Sequence, residues 1–353
     1  PRSEDPATRS KVDSLRESDL TYWHAEAEQT YVQHNPIYQE ALKEIRPSSQ
    51  ALIFEEANLS RFHMPAETFA SSPASIYYSN GGQNDMPMLA AFTTDWASGH
   101  APERPVWFTR GSEDTSESLV KDLLHAFARG LRGGGIDLPY NADTTELKRR
   151  AGFMKFLTQY GSIPTQSRPH RPVTILATSA KQRYIRNGTF QYHAAYVLLT
   201  RLGYPPAILH ENVLQKEDIP PVKLLILINE EHDLRPKTRE QIQKLHSSGT
   251  HIIAIGQKPR DIPVDSHISE PLKQIFENPE NNGFGLASHH WLWKDFLTRR
   301  SEFEALFKKL RTQPRAAVNP EQAYALTLDD GPIRYVAVIT DRINSHSSKF
   351  VRE

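Results

Sequence analysis

Pro172-Val-Thr-Ile-Leu-Ala-Thr178, Pro206-Ala-Ile-Leu-His210, Lys223-Leu-Leu-Ile-Leu-Ile-Asn229 and His251-Ile-Ile-Ala-Ile255 are four apolar runs within one stretch, Pro172 to Gln257. Short continuous runs rich in Ile, Leu and Val read as strands buried on both faces. A helical pattern from about Thr189 to Leu202 separates the first two runs, and another from about Pro236 to His246 separates the last two. Strands interleaved with helices predict a parallel sheet covered on both sides, a doubly wound α/β unit.

The turns of this unit limit its chemistry. Its first turn, Thr178-Ser-Ala-Lys-Gln-Arg183, carries neither a GxGxxG nor a phosphate loop, so no nucleotide cofactor is expected. After Ile255 comes Gly256-Gln257-Lys258, and the chain has no cysteine at all. A thiol nucleophile, a disulfide and a thiolate metal site are thereby excluded together. The fifteen histidines are scattered, without HExxH or comparable spacing, so no metal is expected either. The unit reads as structural or oligomeric.

Upstream, Ala51-Leu-Ile-Phe-Glu55, Ser75-Ile-Tyr-Tyr-Ser79 and Pro105-Val-Trp-Phe-Thr109 read as strands, and Gly133-Gly-Gly-Ile-Asp-Leu138 leads into a fourth. A helix is expected from about Asp19 to Ile45 and another from about Ser116 to Leu131. Recurrence at roughly 25–30 residues is the spacing of βα units in a barrel. Residues 141–170 read as a connection, and Trp291, Trp293, Phe296, Phe303, Leu306 and Phe307 as an amphipathic helical region. Tyr324–Leu328 and Arg334–Ile339, joined through Asp329-Asp330-Gly331, predict a hairpin.

The 353 residues suggest two or three domains. Forty-two basic and forty-two acidic residues cancel, which argues against nucleic acid or an anionic membrane as partner. No apolar run approaches the roughly 20 residues needed to span a bilayer. The chain begins at Pro1 without a signal-peptide pattern and reads as part of a longer protein, either secreted or cytoplasmic.

Three segments, Arg104-Pro-Val-Trp-Phe-Thr-Arg110, His125-Ala-Phe-Ala-Arg-Gly130 and Gly134-Gly-Ile-Asp137, together resemble the last βα units of family 42 β-galactosidase-like glycoside hydrolases. Tyr196–Tyr204, Lys223–Asn229 and Ser248–Ala254 resemble the amidotransferase-like domain that follows the barrel in that family. The likeness covers roughly residues 19–257. It implies the C-terminal half of a (β/α)8 barrel over 1–150 and a flavodoxin-like doubly wound domain over 171–312, while the hairpin reads as the start of a β domain over 320–353. The likeness also implies a carbohydrate substrate and a homo-oligomer, a trimer.

Retaining glycosidases use two carboxyl groups about 5–5.5 Å apart. The resemblance puts them at the ends of barrel strands four and seven, the former upstream of Pro1. At the latter stands Arg110, a permanent cation that cannot attack an anomeric carbon. Glu113 or Asp114 could take over if the loop turns back; the alternative is a pair of solvated acids before a helix. Glu55 and Glu56 close the first strand, where only one of two neighbours can face the mouth. Glu113 and Glu56 are therefore the candidate catalytic residues. Tyr78, Asp95, Trp96, Trp107 and Arg110 form the candidate substrate-binding set, with core packing as the competing role for each aromatic. The function expected is part of a glycoside hydrolase acting on β-linked sugars. The alternative is a degenerate relative that binds carbohydrate or serves assembly.

Overall fold

The computed structural model describes residues 40–41, 44, 53–56, 75–79, 88–100, 106–110, 124–130, 133–136, 143–178, 188–216, 219, 221–228, 234–269, 299–319 and 323–340. Within them the chain is a mixed α/β protein with three sheets. The helix expected over Asp19–Ile45 falls almost wholly outside the described residues, as does Glu113.

The first sheet consists of β1 (Ile53–Glu56), β2 (Ser75–Ser79), β3 (Val106–Arg110) and β4 (Gly133–Ile136), parallel and side by side in chain order. Between β2 and β3 runs α1 (Leu89–His100), a helix not anticipated from the sequence. Its residues 91 to 97 are all buried. A helix covered on every side has no polar stripe, so its pattern carries no period to read. A second unanticipated helix, α2 (Thr144–Tyr160), is followed by the short α3 (Ser162–Gln166), so most of the supposed connection is helical.

β5 (Arg168–Pro169) is a brief strand that leads into the second sheet. That sheet contains β6 (Val173–Ala177), β7 (Pro206–His210), β8 (Leu224–Ile228), β9 (His251–Ile255) and β10 (Ser266–Ile268). All pairings are parallel, and the order across the sheet is β7-β6-β8-β9-β10. Helices α4 (Gly188–Arg201), α5 (Glu211–Leu214) and α6 (Pro236–Ser247) connect successive strands. Four of these strands and both longer helices lie where the sequence places them. The three-residue β10 is too short to show a pattern.

Period-two alternation explains why these strands are apolar throughout. Val173, Ile175, Ala177, Ile226, Ile228, Ile253 and Ile255 face a core shared with α1, α4, the helix over 299–309 and the hairpin. Leu176, Leu225, Leu227 and Ile252 point the other way, onto Val213, Leu214 and Ile242 of α5 and α6. The expectation of a parallel sheet covered on both faces holds.

The third sheet is antiparallel, β12-β11-β5, built from β11 (Ala323–Asp330) and β12 (Ile333–Thr340). Tyr324 and Leu326 of β11 belong to the same core as α1 and α4. The hairpin is thus packed into the body of the protein.

Candidate functional site

Parallel register defines the C-terminal edge of the first sheet. Glu56 pairs with Tyr78, Tyr78 with Thr109, and Thr109 with Gly135, giving one row across all four strands. Arg110 lies in the next row, with Ser79 and Ile136. Trp107 stands two residues before Thr109, opposite Ile76 and Gly133. Neighbouring strands are about 4.8 Å apart, so the Glu56 and Tyr78 backbones adjoin, and Arg110 is two strands from Glu56.

Asp95 and Trp96 belong to a different setting, the middle of α1. Trp96 is 1% exposed. It packs 5.3 Å from Phe92 and 5.8 Å from Tyr192, with the His210 ring edge-on at 4.4 Å. His210 Nε2 is 3.1 Å from the Trp96 carbonyl. Burial holds the His210 pKa down to about 3 although that carbonyl favours the charged form, so the ring stays neutral at ordinary pH. Gly99, one turn further along α1, lies so close to β7 that a Cβ there would sit 2.4 Å from the Ile208 carbonyl oxygen. The helix is seated directly on the second sheet.

Asp95 is the hub of a buried polar network. Arg129 Nε donates to its Oδ2 at 2.7 Å, and Arg171 Nη2 to its Oδ1 at 2.6 Å. The Tyr196 hydroxyl donates to Asp95 and accepts from Arg129. The Arg129 guanidinium also lies 5.2 Å from the Tyr196 ring centre and 5.4 Å from that of Tyr324. Tyr324 meets His125 Nδ1 at 3.0 Å. Burial pushes the Tyr196 phenol well above its usual range, against the pull of Arg129, so Tyr196 is a neutral donor. Burial opposes the charge on Arg129, but Tyr196, Tyr324 and Asp95 outweigh it and hold its pKa above the ordinary value. The hydrogen bonds of this buried cluster hold the segments that supply them against one another. The cluster joins α1, residues 124–130, α4 and β11.

At the opposite edge of the second sheet, Ser266, His251 and Asp265 have the atom order of a nucleophilic triad. Ser266 Oγ is 2.9 Å from His251 Nε2, but His251 Nδ1 is 3.8 Å from Asp265 Oδ2, too long for a hydrogen bond. Asp265 is committed elsewhere, accepting from the Ile252 amide at 2.7 Å and lying 3.0 Å from His246 Nε2. These residues tie the start of β10 to β9 and the end of α6.

A cleft of about 410 Å³ lies between the end of α4, the helix over 299–309 and the connection over 311–318. Among the described residues no group of three or more His, Asp or Glu side chains could hold a metal ion. No helix among them is long and apolar enough to cross a membrane.

No family profile matches the chain, and no curated protein matches its sequence. Among solved structures, the rhamnosidase from Novosphingobium sp. PP1Y is similar over 77% of this chain and 29% of that one, at 10% identity and a TM-score of 0.46. The chain therefore spans less than a third of that enzyme's length. This is a distant likeness to a glycoside hydrolase, too loose to bear on family 42 membership or on any residue.

Sequence reasoning grouped Asp95 and Trp96 with Tyr78 and Trp107 as one set. The structure puts the first pair in a buried helix and the second pair on strands of the first sheet. Arg129, Arg171 and Tyr196, the partners of Asp95, were not singled out. Their separations of 34, 76 and 101 residues leave no local pattern.

Proposed function

We propose that this chain is part of a glycoside hydrolase acting on β-linked sugars. The observation that carries the reading is the first sheet: four parallel strands adjacent in chain order, with Glu56 ending β1 in register with Tyr78. That order is the one a (β/α) barrel requires, and carboxylates at its C-terminal strand ends are where such barrels place their chemistry. The second sheet then serves as an accessory unit. Counted from β6, its strands run 2-1-3-4-5, the flavodoxin-like doubly wound order. In this reading residues 1–150 form the half-barrel, 171–312 the accessory unit that supports a trimer, and 320–353 open a β domain.

Glu113 and Glu56 are the candidates for the carboxylate that this chain supplies, which attacks the anomeric carbon as the glycosidic bond breaks; its partner, which the resemblance puts upstream of Pro1, protonates the departing oxygen and later deprotonates the water that releases the sugar. Tyr78 and Trp107 are assigned to the sugar face and Arg110 to its hydroxyls. The test is turnover of an aryl β-galactoside by the longest natural form of the protein and its Glu56→Gln variant. Loss of a carboxylate that takes part in the reaction lowers kcat about 10²-fold or more. Unchanged turnover removes Glu56 from the mechanism.

One observation favours a second reading, a non-catalytic carbohydrate-binding or assembly protein: β3 ends in Arg110, where the resemblance implies a carboxylate. Saturable sugar binding without turnover by the longest natural form selects it.

A further inference from the structure

The cleft beside α4 has a distinct chemistry. Among the described residues its charged lining is Arg201, Arg300 and Lys308 with one carboxylate, Glu304, a formal balance of three positive charges to one negative. Glu304 is already engaged, accepting from Arg300 Nε at 2.8 Å. The volume, about 410 Å³, falls in the range of small-molecule sites, roughly 300–1,000 Å³.

The walls are firmly built. Tyr204 stacks on Phe307 with ring centres 4.0 Å apart, and its hydroxyl donates to the Thr312 carbonyl at 3.1 Å. Gly203 has φ +87°, and a Cβ there would come within 2.7 Å of Pro314, so the 311–318 connection closes tightly on the end of α4. Arg201 is 2% exposed, with its guanidinium 5.7 Å from the Tyr324 ring centre. A cation so placed keeps its field undiluted by water. Cations near helix C-termini also offset the helix dipole, which accounts for Arg201 and Lys308 singly. It does not account for their convergence, with Arg300, on one concave space of ligand size.

We propose that this cleft binds a small oxyanion, a carboxylate or phosphate group carried by a molecule no larger than a sugar. Arg201 supplies the fixed positive floor, while Lys308 and Arg300 supply the rim. Glu304 holds Arg300, and its own charge opposes that of the ligand. The inference is independent of the glycosidase reading, because no residue of the first sheet takes part.

The experiment is calorimetric titration of the chain with inorganic phosphate, with glucuronate, and with glucose as the uncharged control. Lys308→Ala and Glu304→Gln are titrated alongside. Both substituted side chains are exposed, so folding is retained, and circular dichroism verifies it. Expected are saturable binding of at least one anion, none of glucose, and affinity that falls when salt is raised from about 0.1 to 0.3 M. Lys308→Ala weakens binding about 5-fold, and Glu304→Gln strengthens it, since one removes a cation and the other the opposing charge. Glucuronate without phosphate identifies carboxylates as the ligand class, and phosphate without glucuronate identifies phosphates. Absence of saturable anion binding, equal binding of glucose, or affinities unmoved by both substitutions overturns the proposal.

Discussion

Replacing Asp95 by Ala separates the two roles open to that residue. Its carboxylate, with 6% side-chain exposure, is the counter-charge of Arg129, whose side chain is 0% exposed. With charge centres about 4 Å apart and an effective dielectric near 20, that attraction alone is worth about 4 kcal/mol. Arg171, 14% exposed, is better able to turn to water, so its loss adds less. Truncation leaves a buried guanidinium and the Tyr196 hydroxyl without their acceptor but also removes the cost of burying the Asp95 charge, so the net loss is about 3–5 kcal/mol. For a unit of some 150–250 residues each kcal/mol lowers Tm by roughly 2–4 °C, so the melting point should drop by about 6–20 °C. Urea unfolding followed by circular dichroism gives the free energy, and scanning calorimetry the Tm. Arg129→Met with Asp95→Ala should recover part of the loss, since no buried charge is then orphaned. A loss under about 1 kcal/mol, the value of an exposed ion pair, would refute the buried-hub argument. A sugar-binding role for Asp95 would instead weaken sugar affinity while leaving Tm in place.

Three further substitutions probe other parts of the structure. Gly99→Ala should destabilise by about 1–3 kcal/mol in urea unfolding, because the added methyl meets the Ile208 carbonyl; a gain from better helix propensity would show that α1 stands off β7. Burial alone would raise the Asp265 pKa, but the Ile252 amide, His246 and His251 outweigh it and hold it below the ordinary value. A depressed carboxylate contributes stability that is fully present above its unfolded pKa of about 3.9 and is lost as pH falls through the lower folded value; Asp265→Asn should flatten that acid limb in thermal melts taken from pH 6 to 2. Trp107→Ala should weaken sugar binding by about 1–3 kcal/mol in calorimetry of the longest natural form, and an unchanged affinity removes Trp107 from the sugar site.

How far the sequence could be read depended on whether burial left a pattern. β6, β8 and β9 serve two cores at once, so they stand out as unbroken apolar runs. The strands of the first sheet were legible from the β-branched and aromatic residues in Ile53–Glu56, Ser75–Ser79 and Val106–Arg110. α1 was not, because Thr93, Thr94 and Asp95 are as buried as Phe92 and Trp96, and polar residues inside a helix mask its period. In α2 the buried side is interrupted by Arg150, and the exposed side mixes charges with Leu147, Met154 and Tyr160, so no clean apolar stripe marks the helix. Glu56 closes β1 and Tyr78 lies one residue from the end of β2, positions that the strand pattern makes legible and the register pairs. Asp95 was misgrouped because its partners are contributed by three distant segments, and proximity of that kind exists only after folding.

The Tyr324–His125 contact joins residues 199 positions apart in sequence and closes over the same cluster that holds Asp95. Anyone dividing this protein for expression would be drawn to the gap between residues 150 and 171, where the two sheet systems change over. A cut there would strip Arg129 of Tyr196 and Tyr324, and Trp96 of His210, leaving a charged wound on one fragment and an oily one on the other. The practical unit of manipulation is therefore set by these cross-chain clasps, and gene fragments should carry α1 together with everything through β11.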